Sequence, residues 1–160
     1  MEFEERLQRA IKRGSQAAET REETVRAQAM NEDQFRRLHT QYRLELCEHI
    51  ERCMAKLPGY LPGFQYENVA SDRGWGAGVN RDDADFTGGR RGNVFSRLEI
   101  AVRPYSSAHV LDLNVRGTIR NKEVLNRTHF QLLQEVSLER FMELVDAWAL
   151  EFAELYAARR

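Results

Sequence analysis

The chain has 160 residues, of which 31 % are charged and 42 % hydrophobic. That is the composition of a single globular domain long enough to bury a core. A formal net charge of −1 sets up no global field toward nucleic acid or acidic lipid, so neither is expected as a partner. No apolar run approaches the roughly 20 residues that span a bilayer. The charged N-terminus does not read as an export signal, which makes the cytoplasm the expected compartment.

Residues 1–30 read as a helical arm with little to bury, and residues 31–160 as one α+β domain. In the arm, Phe3, Leu7 and Ile11 form a short apolar stripe. Gly14 is placed as a helix end, and Thr20 with Glu23 as a capping box for a second piece. A stronger helix is expected from Asn31, which can cap it, with Met30 and Phe35 as a hydrophobic staple. Phe35, Leu38, Tyr42, Leu46, Ile50, Cys53 and Leu57 then recur at three- and four-residue steps along one face. Pro58-Gly59 ends the helix.

Phe64–Ser71 is expected as a first strand. Asp72–Gly92, with six glycines, is the least regular stretch. Within it Ala84-Asp85-Phe86 can form a strand that hairpins through Gly88–Gly92. Val94–Val136 carries the clearest pattern. Leu98, Ile100 and Val102 alternate with Arg97, Glu99 and Arg103, and Leu111, Leu113, Val115 and Ile119 alternate with Asp112, Asn114, Arg116 and Arg120. A period of two with one apolar face predicts antiparallel strands buried on one side. The hairpin turns are expected at Pro104–Ser107 and at Asn121-Lys122. Ser137 should cap a final helix through Tyr156, with Phe141, Val145, Trp148, Phe152 and Leu155 facing the sheet and Asp146 facing away. The predicted fold is therefore a two-layer α+β domain: an antiparallel meander of four or five strands, covered on one face by an N-terminal and a C-terminal helix.

With Asn121-Lys122 as the loop, Leu113 opposes Phe130 and Leu111 opposes Leu132 on the inner face. Arg116 then opposes Arg127, and Asn114 opposes His129, on the outer one. Like charges face to face are unfavourable unless an anion lies between them. Arg116, Arg127 and His129 are accordingly a candidate anion site, with Trp75 of the glycine-rich Gly74–Gly78 stretch as a possible anchor.

Other motifs are incomplete. Asp83-Ala84-Asp85-Phe86-Thr87-Gly88 copies the first half of a calcium loop, but Val94 stands where its closing Glu belongs. Gly74-Trp75-Gly76-Ala77-Gly78 lacks the third glycine of a dinucleotide fingerprint and has no Gly-Lys-Ser/Thr. Gly89-Arg90-Arg91-Gly92 resembles an RNA-contacting tract, with too few cations to carry affinity. His49 and Cys53 share a helix face at a spacing zinc can use, without the further ligands that complete a site. Cys47 and Cys53, six apart in one helix, cannot bridge each other. No catalytic constellation is legible, and no cofactor or metal is expected. The function these features favour is a non-enzymatic adaptor or chaperone-like interaction domain that self-associates as a homodimer or binds another protein. The alternative is a small-ligand or anion-binding domain built on the polar sheet face and the glycine-rich stretch.

Overall fold

A computed structural model of the chain describes residues 2–85 and 92–159, apart from the side chains of residues 28–30 and 85. Residues 86–91 lie outside the described residues, and with them most of the expected hairpin turn at Gly88–Gly92, the middle of the calcium-like loop and all of the Gly89–Gly92 tract but its last residue; the Met30 side chain of the staple lies outside them too. The chain divides into two compact units, Met1–Arg37 and Leu38–Arg160.

The first unit is helical. It belongs to α1, which runs without a break over Phe3–Lys56. The sequence signals for two breaks and a restart are overridden. Gly14 costs the helix about 1 kcal/mol relative to Ala and does not end it. Thr20 does not cap. Its hydroxyl donates back to the Gln16 carbonyl at 2.9 Å, and Thr24 does the same to Thr20, a bond that satisfies the side chain inside a continuing helix.

In the second unit, residues 38–56 of α1 end in a 3₁₀ turn at Leu57–Gly59. A five-stranded antiparallel meander follows in the order β1-β2-β3-β4-β5. The strands are β1 (Gln65–Ser71), β2 (Gly74–Asp85), β3 (Gly92–Val102), β4 (Val110–Ile119) and β5 (Lys122–Leu132). Helix α2 (Leu138–Ala158) closes the chain, and Ser137 caps it by accepting from the Arg140 amide at 3.3 Å. The two-layer α+β architecture is the one the sequence predicts. One sheet face carries Ala77, Val79, Leu98, Ile100, Val102, Leu111, Leu113, Val115 and Leu125, all buried. Leu46, Ile50 and Met54 of α1 and Phe141, Val145 and Phe152 of α2 are likewise fully buried.

The stretch expected to be irregular holds the longest strand. In β2 the glycines fill the outward positions of a period-two pattern, and Trp75, Ala77 and Val79 fill the inward ones. Glycine is a poor strand former in general, but here nothing larger fits. A Cβ on Gly76 would stand 2.0 Å from the Ile100 carbonyl oxygen, and one on Gly78 2.4 Å from that of Leu98.

The β4–β5 hairpin corrects the expected register. Its two-residue turn is Arg120-Asn121, with φ of 49° and 68°, the conformation of a type I′ turn. Ile119 pairs with Lys122, and a bulge follows at Gly117/Thr118. Because side chains alternate, a one-residue slip moves each to the other face. Leu113 therefore opposes His129 instead of Phe130, and Arg116 opposes Asn126 instead of Arg127. Phe130 and Leu132 turn outward, 62 % and 47 % exposed.

Replacing Gly76 with Ala should lower unfolding stability by about 1–3 kcal/mol, the usual cost of forcing atoms into a packed site. Urea denaturation checks this, and an unchanged midpoint would show that β2 and β3 are not in such close approach.

Candidate functional site

The register divides the four residues read from the sequence as a site. Arg127 shares a face with Val115, on the side of α2, and makes a two-pronged ion pair with Glu151 at 2.6 and 2.8 Å. His129 lies on that same face, edge-on to Phe141 with ring centroids 5.1 Å apart. Burial depresses its pKa, and Arg140 adds to the depression. Arg116 lies on the opposite face. Trp75, two strands away, is half-buried under the Arg43 guanidinium, which stands 4.3 Å from its ring centroid. Arg127 and His129 are thus brought to one face of β5, while Arg116 and Trp75 are each elsewhere.

Arg116 does have cationic company. Arg73, Arg103 and Arg116, with Asn114 and Asn126, line a shallow outer depression of about 450 Å³. Carboxylates balance it: Asp72 is in its lining, Asp112 lies 3.7 Å from Arg103, and Glu123 lies 3.9 Å from Arg116. On the same outer face, Arg97 bridges Glu67 and Glu99 at 2.7 and 2.9 Å. Such a face is a mosaic of both signs, part exposed and part buried, with burial pushing the Asp112 carboxyl up and Arg103 opposing that. Asp83, the first residue of the calcium-like loop, is paired with Arg81 at 2.9 Å.

A tighter constellation forms between the helices. His49 and Cys53 lie one turn apart on α1, and Asp146 reaches them from α2. His49 Nε2 is 2.8 Å from Asp146 Oδ1, Cys53 Sγ donates to the same oxygen at 3.1 Å, and Sγ and Nε2 are 3.6 Å apart. All three ligating atoms lie within 4.8 Å of one another. Two of these three residues are legible in the sequence, from the four-residue spacing of His49 and Cys53. Asp146 carries no such signal, because its place on α2 reads as solvent-facing, and its side chain is in fact 52 % exposed. Nothing local reports that the flank of α2 meets α1.

Cysteine, histidine and aspartate in mutual reach resemble the parts of a covalent catalyst. The electrostatics oppose that chemistry. Burial, and then the bond to Asp146, push the Cys53 thiol up to about 11, whereas a nucleophilic cysteine needs its thiolate favoured near neutral pH. Cys47 is also raised to about 11 by burial, and its thiol donates to the Trp75 carbonyl at 3.3 Å.

His39 is a further buried titratable group. It is 2 % exposed, lies edge-on to Tyr105, and its Nε2 has no hydrogen-bond partner. Burial is the main cause lowering its pKa, Arg43 adds to it, and a bond to the Arg103 backbone opposes it. Comparison with protein-family models, with curated proteins and with solved structures finds no match to the chain.

The lowered His39 and His129 values set the sign of a pH effect. Below the ordinary histidine value of about 6.5 the unfolded chain takes up protons that the folded one refuses, so stability falls as pH drops through that region. Urea unfolding at pH 7.5 and 5 should show a smaller loss for His39→Leu than for the unsubstituted protein. Equal losses would show that His39 is not held neutral by burial.

Proposed function

We propose that the protein is a non-enzymatic interaction domain that self-associates through its first 27 residues, the helix of one copy lying antiparallel against that of a second. The observation that carries this is the uncovered apolar stripe of the first unit. Phe3, Leu7, Ile11 and Val25 are between 48 % and 72 % exposed. Gly14 and Ala18 continue the line at the spacing of a helix–helix seam, where small residues let two backbones approach. Helices gain most of their stability in proteins from packing an apolar face, and among the described residues of its own unit this stripe meets none.

Charge selects the partner and its direction. Residues 6–13 carry Arg6, Arg9, Lys12 and Arg13 with no acid, while residues 19–23 carry Glu19, Glu22 and Glu23 with only Arg21. Parallel in-register pairing sets each block against its like. Antiparallel pairing sets the basic block of one copy against the acidic block of the other and keeps the stripe facing itself. Such complementary patterns specify orientation and partner.

Sedimentation velocity across a protein concentration series should show a monomer–dimer equilibrium with a dissociation constant on the order of micromolar. Leu7→Asp with Ile11→Asp should weaken it tenfold or more while leaving the thermal unfolding of the second unit unchanged. A protein that stays monomeric throughout the series, or a dimer indifferent to the double substitution, would refute the proposal.

A further inference from the structure

We infer that His49, Cys53 and Asp146 form a binding site for a divalent cation of the zinc class, with a nitrogen, a sulfur and an oxygen ligand and a fourth position open to solvent. The donor set defines the class. Calcium and magnesium take oxygen ligands, whereas imidazole and thiolate together suit zinc and its borderline-soft neighbours.

The geometry is close to what the ion requires. Zinc bonds of about 2.3 Å to sulfur and about 2.0–2.1 Å to nitrogen and oxygen, at tetrahedral angles, place sulfur and nitrogen about 3.6 Å apart and nitrogen and oxygen about 3.3 Å apart. Cys53 Sγ and His49 Nε2 already stand 3.6 Å apart. The Asp146 oxygen, at 2.8 and 3.1 Å from them, has to retreat by only about 0.5 Å, and its half-exposed side chain has room to do so. The two α1 ligands are held at fixed separation by one helical turn, so the ion asks for no backbone change.

Binding balances in charge and protons. The thiol S–H bond breaks and a sulfur–metal bond forms. The released proton goes to solvent, and Asp146, which accepts that proton's hydrogen bond in the metal-free protein, becomes a ligand. His49 Nε2, which donates to the Asp146 carboxylate at 2.8 Å in the metal-free protein, gives up that proton to solvent and binds the ion through its freed lone pair, the neutral ring keeping or taking up its one proton on Nδ1. One thiolate and one carboxylate then neutralise the doubly charged ion. The half-exposed aspartate marks the side on which water completes the tetrahedron, as in three-ligand zinc sites. Because the ligands come from both helices over the sheet, the ion ties α1 to α2, and binding to the folded state alone raises its stability.

The test is a titration of the metal-free, tag-free full-length protein with cobalt(II) alone. At one equivalent it should produce a thiolate-to-cobalt charge-transfer absorption and the intense visible bands of a four-coordinate ion, which zinc then bleaches. The melting temperature should rise with zinc. Cys53→Ser should abolish the charge-transfer band, and His49→Ala and Asp146→Asn should each weaken binding at least tenfold. Cys47→Ser should bind as the unsubstituted protein does. The inference is overturned if unsubstituted protein gives no charge-transfer band, if the visible spectrum is the weak one of a six-coordinate ion, or if the band survives Cys53→Ser.

Discussion

The turn at Arg120-Asn121 is pinned to β3, and the placement of every side chain on β5 follows from it. The Asn121 amide donates to the Phe95 carbonyl at 2.9 Å, its side-chain oxygen accepts from the Phe95 amide at 2.9 Å, and the Arg120 amide donates to the buried Ser96 hydroxyl at 3.0 Å. These bonds fix which two residues occupy the left-handed positions. The type I′ turn, with the bulge at Gly117/Thr118, then sets the register of β5 on β4. From that register come the Arg127–Glu151 pair and the His129–Phe141 contact beneath α2, and the separation of Arg127 from Arg116. A cationic cluster on one face becomes an anchor for a helix on one side and a charge-balanced mosaic on the other.

The second constraint is that two helices share one apolar sheet face. Phe141 and Phe152 are fully buried from α2, and Ile50 and Met54 from α1. Truncation of such aromatic side chains typically costs about 3–5 kcal/mol, so the helices are not free to drift over the sheet. The grouping of His49, Cys53 and Asp146 is a consequence of that packing. Their polar atoms sit at the rim, where a thiol, an imidazole and a carboxylate can meet without the full cost of burying them.

Much of the fold was legible in the sequence because the signals were local and periodic. The alternation through Leu98–Val102 and Leu111–Ile119, the Ser137 cap and the stripe from Phe141 to Phe152 each report a face or an end directly. What was not legible depended on a competing interaction elsewhere. Gly14, Thr20 and Asn31 each resemble a helix boundary, but continuing hydrogen bonds along α1 outweigh them. The glycines of β2 resemble a loop, yet they are required by the approach of the β3 carbonyls, which no local pattern discloses. The register of β5 on β4 differs from the expected one by a single residue. Asn121 reads as a turn residue from the sequence, and its bonds to Phe95 decide that it takes the second turn position and not the first. For the candidate site the sequence supplies His49 and Cys53, and only the approach of Asp146 on α2 to α1 completes it.

The two ends of α1 carry different obligations. Leu46, Ile50 and Met54 are buried within their own unit, whereas Phe3, Leu7, Ile11 and Val25 are exposed, with no cover from the described residues of theirs. The proposed antiparallel pairing answers the second obligation with a copy of the same sequence, using charge blocks that oppose each other only in that direction. Amide hydrogen exchange along α1, read as a function of protein concentration, tests this most directly. Pairing predicts that residues 46–54 are equally protected at every concentration, while amides of residues 7–25 gain at least tenfold protection as concentration rises through the dimerisation range. Exchange in residues 7–25 that is independent of concentration would contradict it.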